Sequence, residues 1–304
     1  MSQALQLHSH RFKAMGSPCE LQYYAPAETA GLIFTTTRKR LNQLEQKYSR
    51  YLPKSVTSQI NSSAGSGETI EVDNETLGLL HYADTLHKQS DGLFDITSGP
   101  LRQAWNFRSG KLPSREKLDA LLPLIGWQKA EWNPPHFALP LRGMEIDFGG
   151  FVKEYAADQL AQILTGQGIE HGLVNLGGDL VIIGPHPDDS PWQVGIQHPR
   201  KTNEAIVQLP LHRGAIATSG DYERFMLIEG NRYSHLLNPC SGWPVKPTYA
   251  AVTVIAEQCL IAGSFSSIAM LKSEHDQDWL SNSGLAYLSV DQKMQLSGNI
   301  IETR

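Results

Sequence analysis

The chain has 304 residues, a formal net charge of −5 at pH 7, 40% hydrophobic residues and 19% charged residues. This is the composition of a globular protein with a sizeable core, and the length suits one large domain or two ordinary ones. The acidic balance and the lack of a long basic run argue against a nucleic acid as partner. The three cysteines, Cys19, Cys240 and Cys259, have neither metal-ligand spacing nor a disulfide-framework pattern, which favours a reducing compartment.

The first residues do not have the pattern of a secretory signal, because no charged start is followed by an apolar core. Cys19 follows Gly16-Ser17-Pro18 and not an apolar run, so it is not a lipid-anchor cysteine. No apolar stretch is long enough to cross a bilayer. The sequence therefore predicts a cytoplasmic protein without a membrane partner.

The N-terminal part predicts a strand followed by helices. Residues 10–25 are expected to form a first strand with a bend at 14–17, because apolar and polar residues alternate around Cys19 and Leu21. Residues 27–48 and 75–89 have apolar residues at helical spacing. Between them, residues 48–55 carry two tyrosines and an arginine, which suits either a ligand wall or a surface loop.

Residues 92–101 place Asp95 and Thr97 among apolar neighbours, so both side chains need partners from the backbone or a ligand. Residues 108–140 are rich in proline and predict a short helix near 114–122 that Ser114 caps. This region is interpreted as an excursion within one domain that spans residues 1–304.

The central stretch, residues 146–184, predicts a strand end, a glycine pair, a helix and a strand that glycines interrupt. Asp147 precedes Gly149 and Gly150, and Lys153 lies in the first turn of the helix. Free N–H groups at a helix start favour anions, and a lysine adds positive charge. The pattern suits a phosphate site, although glycine pairs at such junctions are often only tight turns.

The C-terminal half predicts short strands at 192–197, 205–211, 214–218, 225–229, 250–256, 285–290 and 293–297. A helix is expected at 258–272. His235 lies in a strand-like run that Asn238-Pro239 ends, and a histidine there is either structural or a proton carrier. Mixed helices and hairpin-like strand pairs favour an α+β fold with largely antiparallel sheets and packed helices.

Seven clusters in this order resemble the ApbE-type FAD:protein FMN transferase family over nearly the whole chain. The matching stretches are residues 15–17, 49–61, 94–101, 147–158, 174–179, 217–222 and 233–245. The resemblance implies the ApbE-like α+β fold. It also implies that FAD is the substrate, that Mg²⁺ assists cleavage of its pyrophosphate, and that FMN passes to a threonine or serine hydroxyl of a target flavoprotein while AMP leaves.

The resemblance also assigns roles by position. The residues it places in the FAD pocket are Met15, Tyr51, Leu93, Phe94, Asp95, Asp147, Lys153 and Leu237. The expected metal ligands are the Gly150 carbonyl and the hydroxyls of Ser266 and Ser267, and His235 is the expected catalytic base or orienting group.

Three positions depart from the family pattern. The helix at 258–272 has Gly263 where the resemblance implies a metal-binding aspartate, and Ser267 where it implies a threonine. Glu154 replaces the glycine that is usual after the lysine. Because Mg²⁺ usually binds one or two carboxylates, Gly263 is expected to weaken metal binding unless Asp179 or the FAD phosphates compensate.

The departures leave alternatives open. One is an FAD-binding protein of the same fold that has lost transfer, and another is an FAD pyrophosphate hydrolase. An ordinary FAD- or NAD-dependent oxidoreductase fits less well, because no glycine-x-glycine-x-x-glycine fingerprint opens a strand–helix unit.

Overall fold

The structure is a computed structural model in which residues 4–302 are described. Residues 1–3 and 303–304, which the one-domain prediction includes, lie outside the described residues. The helices are α1 (Ala27–Tyr48), α2 (Val56–Ser62), α3 (Asn74–Gln89), α4 (Arg115–Leu121), α5 (Val152–Gly166), α6 (Cys259–Lys272) and α7 (Asn299–Glu302).

The strands are mostly short and fall largely in the second half of the chain. They are β1 (Gln6–Ala14), β2 (Ser17–Ala25), β3 (Ile70–Glu71), β4 (Glu131–Asn133), β5 (His136–Ala138), β6 (Gly172–Leu176), β7 (Asp179–Gly184), β8 (Trp192–Gln197), β9 (Ala205–Leu211), β10 (Gly214–Gly220), β11 (Phe225–Ile228), β12 (Asn231–Ser234), β13 (Tyr249–Ala256), β14 (Ala286–Asp291) and β15 (Leu296–Ser297).

Eight strands form the main sheet, in the order β1-β2-β6-β7-β10-β13-β14-β15, and every neighbouring pair is antiparallel. Smaller sheets pair β8 with β9, β11 with β12, and β3 with β5 and β4. Helices α1, α5 and α6 pack against the main sheet. The predicted α+β class with largely antiparallel sheets is confirmed.

Alternation along the central strands separates two apolar layers. Val174 and Leu176 of β6 join the large core beneath the helices, whereas Leu173, the residue before Val174, joins a second cluster with Trp192 of the β8–β9 hairpin. Successive side chains of a strand point to opposite faces. The sheet is therefore covered by helices on one face and by this hairpin on the other.

The predicted single strand at 10–25 is wrong, because the chain turns back at Met15-Gly16. Residues up to Ala14 form β1, and β2 begins at Ser17, with Ala14 paired to Ser17. Met15 and Gly16 have φ angles of 48° and 76°. Two consecutive residues with positive φ make the two-residue turn whose twist suits an antiparallel hairpin. This turn carries Met15 to the end of the sheet next to the β6–β7 turn.

Several other predicted elements match. Helices α1, α3 and α6 lie within one residue of their predicted bounds, and α5 forms within the central stretch where a helix is predicted. The Ser114 hydroxyl caps α4 by accepting a hydrogen bond from the Lys117 N–H at 3.3 Å. The 108–140 region contributes β4 and β5 to the small sheet with β3, and its Leu118 and Ile125 pack in an apolar cluster with Trp105.

Candidate active site

The start of α5 is the centre of the site. Strand-like residues end at Asp147, a single 3₁₀ turn covers Phe148–Gly150, and α5 begins at Val152. Asp147 caps this turn by accepting a hydrogen bond from the Gly149 N–H at 2.9 Å. Gly149 and Gly150 are exposed, so this backbone is open to an approaching ligand.

Asn61 of α2 holds the residue before Asp147 in place. Its side-chain oxygen accepts from the Ile146 N–H at 2.7 Å, and its side-chain nitrogen donates to the Ile146 carbonyl at 2.9 Å. The Asp147 N–H donates to the Ile96 carbonyl at 2.9 Å. Ile146 and Asp147, the two residues that lead into the turn, are therefore held by residues that lie far away in the sequence.

One wall of the site is built on Arg50. Its guanidinium forms an ion pair with the Asp147 carboxylate and donates to the Tyr51 hydroxyl at 2.8 Å. It also lies 4.9 Å from the centre of the Tyr51 ring. Burial would lower the pKa of Arg50, but the Asp147 carboxylate outweighs it and raises that pKa. Tyr51 is 75% exposed and presents an aromatic surface to solvent.

Lys153 lies between α5 and the β6–β7 turn. Its ammonium group forms an ion pair with the Asp179 carboxylate and donates to the Leu176 carbonyl at 3.2 Å. The turn itself, Gly177-Gly178, has φ angles of 66° and 99°. A Cβ on Gly177 would lie 2.7 Å from the Ser17 Cβ, so the turn packs directly against the Met15-Gly16 hairpin. The structure thus places Met15, Lys153 and Asp179 in one neighbourhood.

Phe94 lies beneath the glycine pair. A Cβ on Gly150 would lie 3.0 Å from the Phe94 ring, so only glycine lets this backbone pass so close. Leu93 beside it is half-buried and packs on the same core. Phe94, Leu93 and Gly150 are therefore brought together as predicted site residues.

Asp95 is buried, and both of its carboxylate oxygens accept hydrogen bonds from other groups of the chain. Oδ1 accepts from the Thr97 N–H at 2.7 Å and the Thr97 hydroxyl at 2.6 Å, while Oδ2 accepts from the Trp127 N–H at 3.0 Å. These bonds fix the loop that carries Phe94. Asp95 thus shapes the pocket wall through the backbone, and its polar partners are supplied by the chain.

The hydroxyls of α6 form a second group. Ser219, at the end of β10, lies 2.8 Å from the Ser266 hydroxyl and 2.9 Å from the Ser267 hydroxyl. Ser266 also donates to the Gly263 carbonyl at 2.9 Å. Three hydroxyl oxygens therefore converge beside Gly263, and two of them belong to the predicted metal ligands.

Glu154 lies between Gly263 of α6 and the Lys153 ammonium. Its side chain is buried against Gly263, and its Oε1 lies 3.8 Å from the Lys153 ammonium. Burial raises the pKa of Glu154, and Lys153 opposes that shift. Its Oε2 has no hydrogen-bond partner within residues 4–302.

His235 follows β12 and is half-buried. Its N–H donates to the Arg224 carbonyl at 2.9 Å, while Nδ1 is buried without a partner among the described residues. Burial lowers the pKa of His235, with Glu223 opposing, so the imidazole is neutral near pH 7. Glu223 also raises the pKa of Glu154, which places it within electrostatic range of both groups. Leu237 lies farther on, in the apolar cluster around Trp105.

Several residues that build the site were not among the predicted site residues, including Arg50, Asn61, Glu154, Asp158 and Ser219. Asp158 accepts from the Cys259 and Leu260 N–H groups at 2.8 and 2.9 Å and so caps α6 from α5. Its position four residues after Glu154 puts both acids on one face of α5. That spacing was visible in the sequence, but the partner helix was not.

Within residues 4–302, no three or more histidine, cysteine or acidic side chains are grouped closely enough to hold a metal ion. A metal here would therefore bind a mixed set of carboxylate, carbonyl and hydroxyl oxygens, which suits Mg²⁺. The unpartnered Glu154 oxygen, on a side chain that packs against Gly263 of α6, fits such a set. No helix in the described part of the chain is long and apolar enough to span a membrane.

Known proteins match this chain over most of its length. The FAD:protein FMN transferase of Vibrio cholerae is 29% identical over 268 residues, which cover 86% of this chain and 80% of that protein. The crystal structure of the ApbE protein from Thermotoga maritima is 30% identical, with a TM-score of 0.87 and 98% of each chain covered.

The apo form of the flavinyl transferase ApbE from Pseudomonas stutzeri is 27% identical, with a TM-score of 0.85, 97% of this chain and 95% of that chain covered. A model of the ApbE family matches residues 15–288, which include every predicted site residue. The match in sequence and the match in fold agree, and the chain belongs to the ApbE family.

Proposed function

We propose that this protein is an FAD:protein FMN transferase that acts as a single domain. The observation that carries the proposal is that the start of α5 brings together an exposed glycine backbone, the Lys153 ammonium and the buried Glu154 carboxylate, which packs against Gly263 of α6. Relatives over most of the chain carry that name.

In the proposed reaction, the hydroxyl oxygen of an acceptor threonine or serine attacks the FMN phosphorus of FAD. The bond from that phosphorus to the bridging oxygen breaks, and AMP leaves with the bridging oxygen. The hydroxyl proton passes to His235, whose lowered pKa leaves it neutral and able to accept. Lys153 and the exposed backbone of the glycine pair hold the pyrophosphate.

The flavin and adenosine portions need walls, which the chain supplies on both sides of α5. Tyr51 and Phe94 offer aromatic surfaces, and Met15 stands at the neighbouring hairpin turn. The Gly150 carbonyl and the hydroxyls of Ser266 and Ser267 would hold Mg²⁺, which when bound neutralises charge that develops on the pyrophosphate oxygens. The free thiols of Cys19, Cys240 and Cys259 favour a reducing compartment, and we propose the cytoplasm.

The test is an incubation of the purified protein with FAD, Mg²⁺ and a threonine-bearing flavoprotein acceptor. Chromatography quantifies AMP and free FMN, and in-gel fluorescence detects flavin attached to the acceptor. Attachment with AMP in equal amount supports transfer. Equal amounts of free FMN and AMP without attachment, for every acceptor tried, would identify a pyrophosphate hydrolase.

A second candidate function, FAD binding without transfer, is favoured by the glycine at position 263. It predicts that FAD binds tightly while no AMP forms at any Mg²⁺ concentration. The variant Lys153→Met serves as control, since it should weaken FAD binding under either hypothesis and thereby shows that binding is specific to this site.

A further inference from the structure

Glu154 and Gly263 share one volume between α5 and α6. A Cβ built on Gly263 would lie 2.5 Å from the Glu154 Cγ, 3.1 Å from its Cδ and 3.2 Å from its Oε1. A contact of 2.5 Å is far shorter than van der Waals separation, so a side chain at 263 and Glu154 in this rotamer exclude each other. Gly263 therefore makes room for the Glu154 carboxylate.

That carboxylate is buried without adequate partners. Only 8% of the residue is exposed, and Oε2 has no hydrogen-bond partner in the described part of the chain. The Lys153 ammonium, 3.8 Å from Oε1, already forms an ion pair with Asp179 and donates to the Leu176 carbonyl. An unpaired buried charge is costly, so the site calls for a further cation or a proton.

Hydroxyl oxygens lie on α6 beside Gly263, the residue against which the Glu154 side chain packs. Ser266 and Ser267 follow Gly263 by three and four residues, which puts them on the same face of α6. Their hydroxyls meet that of Ser219 at 2.8 and 2.9 Å. The Gly150 carbonyl belongs to the 3₁₀ turn just before α5, four residues ahead of Glu154. Hard oxygen donors of this kind, with one or two carboxylates, are what Mg²⁺ prefers.

We propose that the Glu154 carboxylate is the acidic metal ligand of this site, delivered from α5 into the space that Gly263 leaves open on α6. This inference rests on the proposed function, since it names a ligand for the Mg²⁺ that the transfer uses. It removes the reason to regard Gly263 as a sign of lost activity. The acid is present in the site and comes from the opposite helix.

Metal affinity tests the inference directly. Mn²⁺ titrated into the protein with FAD and no acceptor is followed by electron paramagnetic resonance, and Mg²⁺ by calorimetry. Glu154→Gln keeps the shape but removes the charge, and we expect affinity for both ions to fall at least about tenfold, since even indirect partners of metal ligands are worth that much. Glu170→Gln, an exposed acid beyond the end of α5, is the matched control and should bind as the wild type does.

Moving the acid back to α6 gives a second test. Glu154→Gly alone should lose metal affinity, and the double variant Glu154→Gly with Gly263→Asp should regain most of it. Gly263→Asp alone should lower the melting temperature, because Glu154 occupies the same space. Circular dichroism and metal-free FAD binding check that every variant folds.

Unchanged metal affinity in Glu154→Gln overturns the inference and shows that Glu154 is a neutral filler of the gap. A double variant that binds metal no better than Glu154→Gly overturns it as well. In both cases flavin attachment to an acceptor by the wild type still upholds the proposed function. If the wild type releases AMP and labels the acceptor but binds neither ion, the proposal of Glu154 as a metal ligand is wrong and the proposed transfer stands. If it binds metal but never forms AMP, the proposed transfer is wrong and metal binding stands.

Discussion

At the scale of single residues, burial sets the pKa of His235, the base in the proposed transfer. The imidazole is half-buried, its Nδ1 has no partner among residues 4–302, and burial lowers its pKa from the ordinary 6.5. A base must be neutral to accept a proton, and a lowered pKa keeps it so at physiological pH. The same burial makes protonation costly to the fold.

We therefore expect the rate of FMN transfer to be constant above pH 6.5 and to fall at lower pH, once the lowered pKa of His235 is reached. His235→Gln should reduce the rate by about 10²- to 10⁴-fold and abolish that acidic limb. The measurement is the pH profile of flavin attachment under single-turnover conditions. A profile in the variant that keeps the wild-type acidic limb would assign the titration to another group.

Burial of His235 also makes the free energy of unfolding depend on pH, and the lowered pKa fixes the direction of that dependence. Because the folded pKa of His235 lies below its unfolded value, the unfolded chain binds the proton more tightly. The contribution of His235 to the free energy of unfolding is therefore full above pH 6.5 and declines as pH falls below it. His235→Gln should make stability less dependent on pH in that range.

At the scale of elements, two turns decide the shape of the site. The Met15-Gly16 turn and the Gly177-Gly178 turn belong to neighbouring hairpins and touch through Ser17. Both glycines of the second turn have positive φ, but only at Gly177 would a Cβ collide, since nothing lies within 4 Å of the Cβ position of Gly178. A substitution at Gly178 therefore tests backbone strain alone, whereas one at Gly177 tests backbone strain together with steric contact.

Gly178→Ala should lower the free energy of unfolding by about 1–3 kcal/mol through the left-handed backbone alone. Gly177→Ala should lower it further, by about 1–3 kcal/mol of overpacking against Ser17, and should also weaken FAD binding because Lys153 lies beside this turn. Urea denaturation and FAD titration measure the two effects. If Ser17→Gly fails to recover the additional loss, the contact is not its cause.

The elements also show where sequence patterns suffice. Helix α1 was predictable to the residue, since Ile33, Leu41 and Leu44 mark one buried face over six turns. The β1–β2 hairpin was missed because its turn contains Met15 at a positive φ, where glycine or asparagine would have given the signal. Strands β3, β4 and β5 have two or three residues each, too few for an alternation to register.

At the scale of the whole molecule, a buried ion-pair network ties distant parts of the chain together. Asp221, after β10, receives two hydrogen bonds from Arg200 at 2.6 and 2.9 Å and one from Gln292 at 3.0 Å. Arg200 lies in the β8–β9 loop and Gln292 in the β14–β15 turn. Asp221 is only 2% exposed, so its charge depends on these partners.

Asp221→Asn should lower the free energy of unfolding by about 3–5 kcal/mol, because Arg200 loses its buried partner. Lys201→Gln is the matched control in the same loop, since the Lys201–Glu204 pair is exposed and should contribute less than about 1 kcal/mol. Thermal and urea denaturation of both variants provide the comparison. Equal stability of the two variants would mean that the network holds no more than a surface pair does.

The candidate site was only partly predictable at this scale. Ordered motifs led to the prediction of Asp147, Lys153 and the serines of α6 as site residues, because each lies in a local pattern of glycines or hydroxyls. The hydrogen bonds by which Asp95 fixes its own loop, and the packing of Glu154 on Gly263, depend on the three-dimensional arrangement of the chain. Such contacts join positions far apart in the chain, and a single sequence has no signal for them.

The shared volume of Glu154 and Gly263 also limits how such a site can diverge. An acid on either helix fills the space, acids on both collide, and glycine on both leaves a hole without charge. A chain that changes only one of the two positions therefore has either two colliding acids or a cavity without a carboxylate. Related chains should fall into two groups, with acid and glycine at these two positions in opposite order, and mixed pairs should be rare. Counting the four combinations across the family would reveal whether the positions vary independently or as one unit.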